Sequence, residues 1–66
     1  MAGNTRGKLK EEFEGIHKNF DWIIVHCQRS VVMIKHHKPT LTVAIQELGK
    51  ACDNLDKLAQ NIYGKL

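Results

Sequence analysis

An all-α fold, specifically an antiparallel helical hairpin, is what this sequence predicts, and three observations carry the prediction. Apolar residues recur in steps of three and four through both halves of the chain. A single proline, Pro39, divides the two patterns. The connection around it, KHHKPT, is short enough to make the helices antiparallel neighbours.

The first pattern begins at Leu9 and continues through Phe13, Ile16, Phe20, Ile23, Ile24, Cys27, Val31 and Ile34, which places one apolar stripe along a helix. Glu11, Glu12 and Glu14 fall early, and Lys35, His36, His37 and Lys38 fall late, in the order that a helix dipole favours. Residues preceding proline avoid helical angles, so the helix is expected from Lys8 to His37. Residues 1–7, MAGNTRG, read as a flexible tail, which leaves 8–66 as a single domain. Gly15 and the polar KNFD stretch supply the alternative, a break near Gly15–Asp21 that would give three helices. A β-hairpin of IIV with VVMI is the other competitor; neither run alternates with period two, and the helical stripe passes through both.

The second pattern is Leu41, Ile45, Leu48, Cys52, Leu55, Ala59, Ile62 and Leu66, a heptad seam on a helix expected from Pro39 to Tyr63. Ala44, Ala51 and Leu58 widen it, while Gln46, Lys50, Asp53, Lys57 and Gln60 form a solvated back. Thr40 or Thr42 is the expected cap at its start and Gly64 the expected stop. Leu48 and Leu55 are expected to hold this helix to the first.

The segment WIIVHCQRSVVMI, residues 22–34, is apolar on two sides rather than one. Trp22, Val25, His26, Arg29, Val32, Met33 and His36 form a second stripe opposite the first, present only in the half nearest the turn. A second helix with one apolar face covers one of these sides and leaves the other. The rear stripe therefore reads as an interface, with Trp22 and Arg29 as anchors because those residue types dominate binding energy. A chain of 66 residues is marginal as a lone domain. Self-association into a four-helix bundle, as a homodimer, is the simplest source of further burial. A heterologous protein partner is the rival, and a third helix folded over the rear stripe is the monomeric alternative.

Composition excludes several classes. The longest uninterrupted apolar runs are four residues, which excludes membrane insertion. The polar opening MAGNTRGK makes a reducing, cytoplasmic setting the expectation, with Cys27 and Cys52 as free core thiols that could face one another. Four histidines, His17, His26, His36 and His37, lack the i, i+4 pairing or CxxC partner that a metal site needs, so no metal or cofactor is expected. No nucleophile, base and orienting group occur at productive spacing, so the protein reads as non-enzymatic. The formal charge of +3 permits a second reading as a basic nucleic-acid-binding protein. Its phosphate contacts would be Lys35, His37 and Lys38 at the turn, with Arg6 and Lys10 at the far end. The first reading is a small regulatory or adaptor protein that docks on a protein partner through an apolar helix face.

Overall fold

The structure, a computed structural model, describes residues 3–34 and 37–66. It contains two helices, α1 (Gly3–Ile34) and α2 (Pro39–Gly64), packed against each other along their length. No strand occurs among the described residues. The antiparallel hairpin is as expected, and the β-hairpin of IIV with VVMI does not form. The molecule is a rod with extents of 54 × 15 × 11 Å and a radius of gyration of 15.7 Å. A compact domain of this length would have a radius of about 11 Å.

The helix α1 passes unbroken through Gly15 and KNFD, so the three-helix alternative is not adopted. An interior glycine costs a helix about 1 kcal/mol. Phe13, His17, Phe20 and Ile24 lie against α2 before, within and after the doubtful segment, and a break would forfeit that packing. The start of α1 at Gly3, rather than Lys8, has a consequence. Glu11 and Glu14 now sit in its third and fourth turns, and the first turn contains no acid. The dipole effect fades within one turn, so these glutamates do not serve it. Lys35 and His36, expected in the last turn, lie outside the described residues.

Between the helices, the His37 and Lys38 amides donate to the Ile34 carbonyl at 2.9 and 3.3 Å. Pro39 opens α2, where a missing N–H costs nothing. Neither threonine caps the helix: Lys38 is the N-cap and has no side-chain capping bond. Thr42 instead turns back, donating both its amide (3.0 Å) and its hydroxyl (3.2 Å) to the Lys38 carbonyl. Gly64 is the last residue of α2, and the turn that follows is right-handed, with Lys65 N–H donating to Ile62.

The line of contact corrects the expected seam. On α1 it runs through Lys10, Phe13, His17, Phe20, Ile24, Cys27, Val31 and Ile34; on α2 through Thr42, Ile45, Gly49, Cys52, Asp56, Ala59 and Tyr63. Of the predicted α2 seam, Ile45, Cys52 and Ala59 face α1. Leu41, Leu48, Leu55 and Ile62 do not, and Leu48 and Leu55 remain 54% and 51% exposed. They do not hold the hairpin. The apolar surface of α2 is wider than one neighbouring helix covers. The rotation adopted puts small residues at the closest approach, where a β-carbon on Gly49 would lie 3.7 Å from that of Cys27. Cys27 and Cys52 are buried free thiols, and with Ala59 they are the buried hydrophobic residues among those described. Among the described residues, no large side chain is fully buried.

The glycines offer a direct check on this packing. Gly49→Ala places its methyl in ordinary contact and gains helix propensity, so it is expected to raise stability by up to about 1 kcal/mol. Gly49→Leu is expected to force the helices apart and lower the melting temperature. Gly15→Ala, into open space, is expected to behave like Gly49→Ala. Thermal denaturation followed by circular dichroism reads all three.

Candidate interaction surfaces

Two apolar surfaces are left open by the hairpin. The first lies on α2, about a quarter turn from its contact with α1. Leu41, Leu48, Leu55 and Ile62 alternate there with Ala44, Ala51 and Leu58 in steps of three and four, and every one is exposed. The row contains no charged residue. In an antiparallel pair the matching flank of the neighbour lies on the same side, and α1 contributes Ile16 and Ile23, also exposed. The result is one face built by both helices, apolar along α2 and at Ile16 and Ile23 of α1. Sequence periodicity places all seven of these α2 residues toward α1, whereas the structure leaves them exposed.

The second surface is the rear of α1, opposite α2. Trp22 is 59% exposed, Val32 73% and Met33 77%. His26 and Arg29 are exposed and Val25 is half-buried. The Trp22 and His26 rings lie one helical turn apart with centroids 6.0 Å from each other. His36, the last member of this stripe, lies outside the described residues. Among the described residues, no third helix covers this side.

The candidate phosphate contacts do not come together. Arg6 and Lys10 lie at one end of the rod, and His37 and Lys38 lie at the other, both of them exposed. Lys35 is outside the described residues. Lys10 is half-buried, with its ammonium 6.0 Å from the centroid of the Tyr63 ring. The Tyr63 hydroxyl donates to Glu14 at 3.1 Å, which raises the phenol pKa above its ordinary value.

A polar clasp interrupts the contact line. The buried carboxylate of Asp56 receives His17 Nδ1 at 2.9 and 3.0 Å, and His17 Nε2 lies 3.4 Å from Asp21. Both ring nitrogens thus face carboxylate oxygens, the arrangement of a protonated imidazole. The Asp56 hydrogen bond raises the His17 pKa above 6.5 despite opposing desolvation, and the charges of Asp21 and Asp56 add to the rise. Among the described residues these three form the group with metal-ligating atoms close together, within 4.8 Å of one another. The two nitrogens point to different carboxylates, so a single ion could take one nitrogen only and would displace a hydrogen bond already made. Asp56 was not among the residues that sequence reasoning selected. Its signal was the spacing of Thr42, Ile45, Gly49, Cys52, Asp56, Ala59 and Tyr63, which is as regular as the leucine seam but mixed in character.

On the face opposite the apolar one, a groove runs between the helices along Ile24, Cys27, Val31, Ile45 and Gly49, edged by Gln28, Gln46, Lys50 and Asp53. It contains no histidine, and its carboxylate, Asp53, is paired with Lys57 at 3.1 Å. No described helix is long and apolar enough to cross a membrane. Compared with protein-family models, curated proteins and solved structures, the chain matches none of them significantly.

The clasp makes stability depend on pH with a definite sign. A histidine whose folded pKa lies above 6.5 contributes its full stabilisation below that value and loses it as pH rises through the higher, folded pKa. The melting temperature is therefore expected to fall as pH is raised from about 6 into the alkaline range. His17→Gln is expected to flatten that slope. A slope unchanged by the substitution would show that His17 is not its source.

Proposed function

We propose that this hairpin is a small non-enzymatic regulatory or adaptor protein that self-associates and docks on a protein partner through apolar helix faces. One observation carries the reading: large apolar side chains stand exposed on two sides of a molecule whose buried hydrophobic residues, among those described, are two cysteines and an alanine. Fully burying each Leu, Ile or Met contributes roughly 1.5–3 kcal/mol, and this hairpin by itself leaves most of that unused. The rear of α1 supplies a candidate surface for the partner. Trp22 gives it a large rigid anchor, Met33 an adaptable one, and Arg29 a fork of donors among apolar neighbours. Binding there would act by occluding or reshaping the partner's surface.

The nucleic-acid reading makes opposite demands. It needs cations gathered on one surface, whereas those expected to contact phosphate are divided between the ends of a 54 Å rod. Sedimentation equilibrium of the native chain at low and high salt separates the two. Apolar association predicts a mass well above 7.5 kDa at micromolar concentration, unchanged or slightly strengthened by salt. A 7.5 kDa monomer that binds RNA or DNA steeply less well at higher salt, and is weakened by Lys38→Glu, would overturn the proposal in favour of the nucleic-acid reading.

A further inference from the structure

Resting on self-association as just proposed, we infer that the self-interface is the apolar face centred on α2, not the Trp22 side of α1, and that its occupant is a second, antiparallel copy of the same chain. The two hairpins stack face to face about a two-fold axis perpendicular to the helices, passing near Ala51 on α2. The rear of α1 then stays free for a different partner.

Area is the first argument. The chain exposes 5247 Å². A compact monomer of this mass would expose about 4,250 Å², so the rod carries an excess of about 1,000 Å². A standard interface takes about 800 Å² from each partner. The excess is therefore of the size that one such contact removes.

Symmetry is the second argument, and it selects the occupant. A two-fold interface brings the same row of residues against itself in reverse, so the row must fit its own reversal. Reversed about a point between Ala51 and Cys52, position 48 exchanges with 55 and position 41 with 62. Leu48 then meets Leu55 of the second copy, and Leu41 meets Ile62, all of them apolar and exposed in the hairpin. Ala51 lies at the crossing, where a small side chain lets the two backbones approach. The Cys27–Gly49 and His17–Asp56 contacts bracket the part of α1 that lies at the same height, about residues 22 to 24. Ile23, exposed on this face, would meet Ile23 of the second copy there. The Trp22 side fits less well: it occupies one half of one helix, and it reverses onto itself only about Arg29, which sets that cation against Arg29 of the second copy.

Charge substitution at paired positions tests the register as well as the surface. Leu48→Glu and Leu55→Lys are each expected to raise the dimer dissociation constant at least about 100-fold, because each buries two unpaired charges. Mixed in equal amounts, they are expected to form a heterodimer. The carboxylate introduced at position 48 of one chain then meets the ammonium introduced at position 55 of the other, while the second Leu48–Leu55 contact is intact. Val32→Glu is expected to leave the dimer unchanged. Mass by sedimentation equilibrium and helicity by circular dichroism are read on each variant and on the mixture. If the separate variants unfold, recovery of both helicity and mass on mixing still supports the pairing. A dimer broken by Val32→Glu and indifferent to Leu48→Glu would overturn the assignment while leaving self-association standing. Failure of the mixture to recover would overturn the antiparallel register, and a monomeric native chain would overturn the underlying reading itself.

Discussion

Two antiparallel helices cover only one strip of each other, and most features of this molecule follow from that geometric limit. The strip is about two residues wide on each helix, one step of three and one of four, and it runs the length of the rod. Here it is occupied mainly by small or half-buried groups: Gly49, the two cysteines, Ala59 and Thr42, with the half-buried Phe13, Phe20, Ile24 and Ile45 among them. Small residues bring the backbones together, but they bury little area. A hairpin closed in this way gains close packing at the cost of leaving its leucines outside.

The polar pair in that strip sets a register. Asp56 is buried in the contact line and finds its partner in His17, from the other helix, at 2.9 Å. Sliding either helix by one turn, or rotating α2 to bring Leu48 and Leu55 inward, would strand that carboxylate against apolar neighbours. A buried charge without a partner costs more than a well-paired one contributes, so the clasp acts chiefly by penalising the alternatives. The rotation of α2 and the exposure of its leucines are thus linked to the His17–Asp56 pair, with Gly49 and Cys27 permitting the approach.

Exposed apolar surface on so small a chain falls into two kinds. The face shared by α1 and α2 is long, uncharged along its α2 row and nearly palindromic, which are the properties expected of a surface that meets its own copy. The rear of α1 is short and mixed, with an aromatic ring, a histidine, an arginine and a methionine. That mixture suits recognition of something unlike itself. In the function proposed above, one face builds the assembly and the other is presented to a partner.

The sequence by itself determined that there would be two helices, where the turn between them would fall, and that the rear of α1 would be left uncovered. These depend on local periodicity and on the single proline, and each is written in consecutive residues. It also named Leu41, Leu48, Leu55 and Ile62 as members of an apolar seam, together with Ile45, Cys52, Ala59 and Leu66. What only the tertiary structure decided was which neighbour that row would face. A row of apolar residues spaced by three and four specifies a surface, but the direction in which a helix turns that surface depends on what the other helix brings to the contact. In this chain it was decided by Gly49 against Cys27 and by Asp56 against His17, pairs separated by 22 and 39 residues whose meeting no local pattern records. Continuity of α1 through Gly15 was settled in the same way, because packing against a helix contributed from the far end of the chain outweighs the local weakness of one glycine.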